Sequence, residues 1–343
     1  MEPITFVMLR ATTKQTVVEY QGQTARNDSF YEDSSTSSDF YTVFCDELLR
    51  YFVRVEIWYQ EDRHHPKCSV FEHRSGLVER YWPKGYEGLT EGDEPEILFV
   101  RGDKRDYYPV LNRFRKAFKV YYSAGHYYLP PTQGTWNLVF VDDPRHIKEV
   151  EESAYCPVEL FKKSCVDKYF PGKKGQGAVD IYFTCNAPQA NIKGFRFFLR
   201  LMRDLRNKSA LCVGLRNEGM EKEFKGLPVY FTGFVPRVHV GQLMARCRMG
   251  LVLSGKEDGS PRVIQEYICS DFPVVVREQT THSPFYINSM TGISASDEKM
   301  RYAIIYTLNN RELFAPRKYF MESLTVEQSA KYFVDKIMGE NAV

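Results

Sequence analysis

The chain has 343 residues, a formal net charge of +2, 43% hydrophobic residues and 15% aromatic residues. These values exclude a fibrous or intrinsically disordered chain, and the length favours two globular domains of roughly 150 residues each. No run approaches the ~18 apolar residues needed to cross a bilayer, and the start lacks a basic segment followed by an apolar one, so we expect a cytoplasmic protein.

Cysteine spacing and charge distribution restrict the possible partners. The eight cysteines include no CxxC pair, which favours buried reduced thiols over disulfides or a zinc site. Lys and Arg number 22 against 27 Asp and Glu up to residue 170, and 24 against 17 after it. A basic second half suits a domain that binds a phosphorylated small molecule, although solvated surface charge accounts for it equally well.

The first half of the chain predicts strands separated by helices and loops. In chain order, a strand ITFVML precedes a Ser-rich loop (residues 27–40), a helix YTVFCDELLRYF and a strand VRVEIW. Further strands are predicted at EILFV, FKVYYS and NLVFVDD, with a helix YYPVLNRFRKAF between the first two. The Gly-, Pro- and Lys-rich segment YFPGKKGQGAV (residues 169–179) has the composition of a linker, so we place the domain boundary inside it.

After this segment, predicted strands and helices alternate. Strands are expected at VDIYFTC, ALCVGL, VYFTGF, MGLVLS and PVVV, and helices at GFRFFLRLMRDLRN, VGQLMARC and RVIQEYIC. Such alternation predicts a parallel sheet with helices on both faces and ligands at the carboxyl ends of the strands. We therefore expect an α/β protein with two Rossmann-like, doubly wound domains facing a cleft. They would span residues 1–172 and 173–322, followed by a helix over residues 323–343 that could pack back on the first domain.

The stretch EDGSPRVIQEYICSDFPVVV, residues 257–276, contains the main candidate site. A strand leads into a loop over residues 255–260, and Pro261 suits the first position of a helix because it lacks an N–H group. Three backbone N–H groups would then meet at the helix N-terminus and suit a diphosphate. They belong to Gly259, Ser260 and Arg262.

Two carboxylates accompany this turn. Asp258 lies in the loop and Glu266 about one turn into the helix, where each could accept hydrogen bonds from the vicinal hydroxyls of ribose or hexose. The alternative is an acidic N-cap and a solvated helix glutamate. The stretch resembles the E-x7-E region of retaining glycosyltransferases with the two-domain GT-B architecture, particularly family 4. Asp258 replaces the first Glu, and Asp271-Phe272 stand where Gly and a small residue are usual.

Three further passages resemble the same family in the same order, and the whole resemblance covers roughly residues 139–276. ANIKGFRFFLRLM is similar to the Lys-Gly helix start of the family, which implies that Lys193 contacts the donor diphosphate. VYFTGFVPRVHVGQLMARCRMGLVLS is similar to the passage before the acidic region, and base recognition in this fold implies a role for the loop that starts at Gly233. VDKYFPG is similar to the segment that ends the first domain.

Two features of the family are missing from the sequence. No arginine precedes the Lys-Gly pair in CNAPQANIKG, so Arg262 and Asn186 are the candidates for a second phosphate contact. The Gly-Gly loop that is common in the family after the first strand is replaced here by the Ser-rich segment. The resemblance therefore does not predict how the acceptor is bound.

A histidine and an acidic pair are further candidates. His126, in YYSAGHYYLP, follows a predicted strand at the place where the family frequently has a histidine near the sugar. The alternative is a structural histidine bonded to local backbone. The sequence VDD, residues 141–143, could suggest a metal motif, but the resemblance implies no metal, because a helix dipole and a lysine stabilise the leaving diphosphate.

Residues 101–119, RGDKRDYYPVLNRFRKAFK, carry seven Lys or Arg against two Asp. They are the best candidate for contact with a polyanion, through Arg113, Arg115 and Lys116. A solvated basic helix face is the alternative.

The resemblance implies a metal-independent retaining glycosyltransferase that moves a sugar from a UDP- or GDP-sugar to an acceptor hydroxyl without another cofactor. It assigns Glu266 to the ribose hydroxyls, Asp258 to the sugar hydroxyls and Lys193 to the diphosphate, with His126, Asp258 and Lys193 at the reaction centre. Two alternatives stay open: a phage-type transferase that glycosylates modified pyrimidines in duplex DNA, and a nucleotide-sugar-binding subunit without catalysis. The acceptor (glycan, lipid-linked, small molecule or DNA) and the oligomeric state are also open.

Overall fold

The computed structural model describes residues 4–11, 18–20, 23–25, 40–60, 68–101, 107–123, 135–170, 172, 177–186, 189–214, 218–235, 237–255, 258 and 261–339. The chain divides into two compact units. Unit 1 contains residues 1–14, 29–162 and 326–343, and unit 2 contains residues 15–28 and 163–325.

The described strands and helices have the following bounds. The strands are β1 (Thr5–Ala11), β2 (Val18–Tyr20), β3 (Gln23–Ala25), β4 (Arg54–Gln60), β5 (Ser69–Glu72), β6 (Val78–Trp82), β7 (Ile97–Arg101), β8 (Phe118–Ser123), β9 (Leu138–Val141), β10 (Val158–Leu160), β11 (Val179–Thr184), β12 (Ala210–Val213), β13 (Val229–Gly233), β14 (Cys247–Val252), β15 (Val274–Arg277) and β16 (Gly292–Ala295). The α-helices are α1 (Phe40–Leu48), α2 (Tyr108–Arg113), α3 (Ile147–Ala154), α4 (Phe195–Asp204), α5 (Glu218–Glu223), α6 (Arg237–Met244), α7 (Arg262–Cys269), α8 (Met300–Asn309), α9 (Pro316–Tyr319) and α10 (Val326–Met338).

Unit 1 is built on one sheet whose described strands follow the order β10-β9-β8-β7-β1-β4-β6-β5. Its neighbouring strands are parallel, apart from the antiparallel edge pair of β5 and β6. β1 alternates between two cores: Phe6 and Met8 pack with α1 and α10, whereas Val7 and Leu9 pack with α2 and α3. A strand buried on both faces needs apolar residues in both registers, which explains the continuous run TFVML.

Unit 2 contains a fully parallel sheet in the order β13-β12-β11-β14-β15-β16. This is the doubly wound order of dinucleotide-binding folds, in which the chain reverses direction across the sheet between the first and fourth strands, here β11 and β14. One face packs against α4 and α8 and the other against α6 and α7. The sheet therefore places its ligand-binding point at the carboxyl ends of β11 and β14.

The fold class predicted from the sequence is confirmed: each unit is an α/β domain, with a mostly parallel sheet in unit 1 and a fully parallel sheet in unit 2. The chain passes from unit 1 to unit 2 between residues 162 and 163, before the boundary placed inside residues 169–179, because Cys165 and Phe170 pack into a core of unit 2. The predicted helix after residue 107 is only the six residues of α2, since Phe114 turns into extended backbone. Arg115 and Lys116 consequently lie in a turn rather than on a basic helix face.

Candidate active site

The candidate site lies at the carboxyl ends of β11 and β14. A turn before α4 carries Lys193 and Gly194 to this edge, and Gly255 donates its backbone N–H to the carbonyl of Ile192 at 3.2 Å. Gly194 has φ of +73°, and a Cβ atom there would lie 2.1 Å from the carbonyl oxygen of Leu253. Only glycine fits both constraints without a shift of the backbone, so Gly194 lets the lysine-bearing turn approach the end of β14.

Lys193 forms an ion pair with the first acid of the candidate motif. Its Nζ lies 2.9 and 2.7 Å from the two carboxylate oxygens of Asp258. Both side chains are largely shielded from solvent, at 22% and 16% exposed. Ser254, just after β14, donates its hydroxyl to the same carboxylate. Asp258 therefore has three close donor contacts to its carboxylate and is held at the site by them.

A cavity of about 200 Å³ opens beside this ion pair. Lys193, Arg262 and Glu266 all face it, so that two cations and one carboxylate share its wall. The remaining lining residues come from the ends of β11 and β14 and the start of α7: Phe183, Thr184, Leu251, Val252, Leu253, Ser254, Pro261 and Val263. The volume is below the ~300–1,000 Å³ of typical small-ligand sites. It therefore suits the charged part of a nucleotide rather than a whole nucleotide sugar.

Helix α7 sets the position of Glu266. Pro261 is its N-cap, and Ile264 and Tyr267 are fully buried in a core of unit 2. Gly250 on β14 allows close packing, because a Cβ there would meet the Tyr267 ring at 2.4 Å. Burial raises the pKa of Tyr267 well above its ordinary value, so this residue stays a neutral packing group. The helix is thus fixed on β14 with Glu266 directed to the cavity.

The structure brings together some of the predicted site residues and separates others. Lys193, Arg262 and Glu266 share the cavity wall, and Asp258 contacts Lys193. Asn186 follows β11 but is not among the lining residues. Gly233 ends β13, which β12 separates from β11 and both β12 and β11 separate from β14. Gly259, Ser260 and His126 lie outside the described residues. Arg113, Arg115 and Lys116 are exposed on unit 1.

Two site residues were missed by sequence reasoning. Ser254 holds Asp258, and Thr184 lines the cavity at the end of β11. The available signal was their place at the carboxyl ends of the predicted strands VDIYFTC and MGLVLS, since polar side chains there lie at the ligand edge of a parallel sheet.

The acidic pair at the end of β9 has structural contacts. Asp142 accepts a hydrogen bond from the hydroxyl of Tyr122 at 2.6 Å. Asp143 accepts one from the backbone N–H of Arg145 at 3.0 Å and pairs with its guanidinium. Within the described ranges, no group of three or more His, Cys, Asp or Glu side chains is placed to hold a metal ion. No described helix combines the length and apolar character needed to span a bilayer.

Comparison with known proteins identifies the fold. Residues 178–310 match the family model "Glycosyl transferases group 1". No curated protein sequence matches the chain.

Solved structures match over both units. The Anabaena protein HepE, in complex with UDP and glucose, has a TM-score of 0.66 at 11% identity and covers 98% of this chain and 100% of its own. Sucrose-phosphate synthase from Thermosynechococcus elongatus has a TM-score of 0.70 at 11% identity, covering 98% of each chain. A trehalose-6-phosphate structure from E. coli, bound with UDP-2-fluoro glucose, has a TM-score of 0.63 at 10% identity, covering 99% of each chain. The chain therefore has the GT-B glycosyltransferase fold, and residues 178–310 in its second unit match the glycosyl transferases group 1 family.

Proposed function

We propose that the protein is a retaining glycosyltransferase whose nucleotide-sugar donor binds to unit 2 at the carboxyl ends of β11 and β14. The observation that carries this proposal is the shared wall of Lys193, Arg262 and Glu266 around one cavity. Two cations suit a diphosphate, and the carboxylate on α7 suits the paired hydroxyls of a ribose. Support also comes from two of the similar structures: HepE is in complex with UDP and glucose, and the trehalose-6-phosphate structure is bound with UDP-2-fluoro glucose.

The proposed chemistry needs charge stabilisation more than a nucleophile. As the bond between the sugar and the diphosphate breaks, negative charge grows on the departing phosphate oxygens. Lys193, which is largely shielded, and Arg262, which is exposed at the start of α7, would hold that charge through charge-assisted hydrogen bonds. Asp258, beside Lys193, would contact the sugar, and an acceptor hydroxyl would attack the face that the diphosphate leaves. Unit 1 would bind the acceptor, whose identity is open.

Labelled UDP- and GDP-sugars test the proposal. Incubation with one of them should release labelled sugar slowly to water and faster to a suitable acceptor hydroxyl. Glu266→Gln should raise the KM for the donor by ~10–100-fold, because it removes a charged acceptor worth ~1.5–3 kcal/mol. Glu223→Gln, an exposed glutamate at the end of α5 in the same unit, is the matched control and should leave the KM unchanged.

The outcome distinguishes the alternatives. Donor binding without any release of sugar indicates a binding subunit rather than an enzyme. NMR of the product gives its anomeric configuration, and an inverted configuration contradicts the retaining mechanism. An unchanged KM in Glu266→Gln removes the ribose contact from the proposal.

A further inference from the structure

A second cavity lies in unit 1, at the edge of the sheet where β8 begins. Its volume is about 610 Å³, within the range of small-ligand sites. Three cations line it, Arg115, Lys116 and Lys119, and no acid is among the lining residues that the structure describes. The neutral lining residues are Leu111, Asn112, Ala117, Phe118, Thr135 and Asn137. We call it the β8 groove.

The local fold fixes the base of the β8 groove. The Glu94 carboxylate accepts hydrogen bonds from the backbone N–H groups of Lys116 at 2.5 Å and Ala117 at 3.0 Å, which holds the turn between α2 and β8. Asn137 accepts from the Lys119 N–H through its side-chain oxygen at 2.8 Å and donates its own N–H to the Lys119 carbonyl at 2.9 Å. The amide nitrogen of Asn137 is then left as a donor at the groove wall.

Lys119 is the informative residue of this groove. It is only 8% exposed, yet its ammonium makes no hydrogen bond or ion pair with any described residue. Burial lowers the pKa of Lys119; the nearby Glu94 acts in the opposite direction, and the positive charge of Arg115 adds to the lowering. The Glu94 carboxylate is already engaged by the backbone N–H groups of Lys116 and Ala117, and the groove carries two further cations beside Lys119. An anion in the groove would offset this excess of positive charge.

We propose that the β8 groove binds a phosphate group, with Lys119 at its base and Arg115 and Lys116 at its rim. A phosphate matches a groove lined by three cations and two side-chain amides because it offers several acceptor oxygens on one compact charge. The groove lies at the amino end of β8, whereas ligands of doubly wound sheets bind at carboxyl ends. It is therefore separate from the edge at which unit 1 would receive an acceptor, and it does not depend on the proposed glycosyl transfer.

Concavity distinguishes this site from a contact to duplex DNA. A DNA backbone would meet the exposed Arg113, Arg115 and Lys116, and it would not require the shielded Lys119. A phosphate group that enters the groove requires Lys119. The dependence on Lys119 is thus the feature to measure.

The test titrates the full chain with pyrophosphate at constant ionic strength. Tryptophan fluorescence reports on unit 1, because the three tryptophans of the chain, Trp58, Trp82 and Trp136, all lie there. Trp136 is also flanked by two groove residues, Thr135 and Asn137. All titrations use the Lys193→Met background, in which pyrophosphate binding at the proposed donor site should be weakened. A failure of the groove is therefore separable from a failure of the donor site.

We expect saturable binding that Lys119→Met weakens at least tenfold. Methionine keeps most of the buried stem of the lysine and removes the charge, so the fold should persist. Arg115→Gln, at the exposed rim, should weaken binding severalfold. Because this residue is exposed, the variant tests the groove even if Lys119→Met fails to fold. Lys148→Met, at a lysine of α3 that is 88% exposed, is the matched control and should bind as the parent does.

Two arms identify the source of the phosphate. If the protein sediments with phosphatidic acid vesicles and this depends on Lys119, the groove binds a lipid headgroup. If it binds pyrophosphate but does not sediment, the groove binds a soluble phosphate. Both outcomes support the site. Equal pyrophosphate titrations for parent and Lys119→Met overturn the proposal. Binding of duplex DNA, without pyrophosphate binding, also overturns it.

Discussion

Lys193 has two competing partners, a carboxylate of its own chain and the diphosphate that we expect it to bind. In the structure its ammonium lies 2.7 Å from Asp258, and the pair is mostly shielded. A diphosphate that approaches Lys193 must share or replace this contact, and the negative charge of Asp258 opposes its entry. The sugar hydroxyls of a full donor would instead give Asp258 new donors, so we expect the pair to favour a nucleotide that still carries its sugar.

This competition predicts opposite effects of two substitutions on UDP binding. Lys193→Met should weaken UDP binding at least tenfold, corresponding to ~1.4 kcal/mol or more, because it removes a phosphate contact and leaves Asp258 uncompensated. Asp258→Asn should strengthen UDP binding and slow transfer from a UDP-sugar. Calorimetric titration with UDP measures both. If both variants weaken UDP binding equally, Asp258 positions Lys193 and does not compete with the ligand.

At the scale of elements, the turn before α4 depends on its contact with β14. Gly194→Ala should place a Cβ atom 2.1 Å from the Leu253 carbonyl oxygen and so displace the turn that carries Lys193. Gly226→Ala is the matched control: Gly226 has φ of +81°, but a Cβ there meets nothing within 4 Å. In denaturant unfolding, the left-handed backbone conformation should lower the free energy of unfolding of both variants by ~1–2 kcal/mol.

The functional readout separates the two glycine variants. Only Gly194→Ala should also lose UDP affinity, since only there does the backbone of the site shift. Equal UDP affinity in the two variants would mean that the turn accommodates the extra methyl without moving Lys193.

The sequence predicts elements where local pattern decides them. The runs around β1, β7, β8, β11, β14 and β15 are apolar enough to identify buried strands of a parallel sheet, and the Lys-Gly and acidic motifs locate both sides of the cavity. The pattern within one segment does not predict which distant segments it contacts. The last two strands of the first sheet, β6 and the edge strand β5, carry polar residues. The β8 groove combines Lys119 with Asn137, the residue before β9, so neither feature follows from periodicity.

At the scale of the whole molecule, shielded thiols give an alkaline dependence of stability. Burial raises the pKa of Cys185 and of Cys247 to about 12, from an ordinary value near 9. Below pH 9 both the folded and the unfolded thiols are protonated, so they contribute no pH dependence. Between pH 9 and about 12 the unfolded chain releases protons that the folded chain retains, and the free energy of unfolding should fall by up to ~1.4 kcal/mol per pH unit for each thiol.

Substitution of both thiols tests this dependence. Cys185→Ala combined with Cys247→Ala should flatten the decline of stability above pH 9, whatever its effect at neutral pH. Urea unfolding at a series of pH values measures the slope. An unchanged slope in the double variant assigns the alkaline loss to other groups.

The two units should respond separately to a ligand and to a core substitution, because each of the four buried clusters lies within one unit. Phe333 of α10 is fully buried in unit 1, with ring centroids 5.1 Å from Phe99 and 5.3 Å from Phe44. Phe333→Ala should destabilise unit 1 by ~3–5 kcal/mol through the cavity that it leaves. UDP at 100 times its Kd should stabilise unit 2 by ~2.7 kcal/mol.

Two spectroscopic signals resolve the units in thermal unfolding. Tryptophan fluorescence follows unit 1 alone, whereas far-ultraviolet circular dichroism follows both units. Phe333→Ala should lower the fluorescence midpoint, and UDP should raise the midpoint of a dichroism transition that fluorescence does not report. Tyr302→Ala, at a tyrosine that is 71% exposed, is the control and should move neither midpoint. A fluorescence midpoint that rises with UDP as much as the dichroism midpoint would show that the units unfold as one cooperative body.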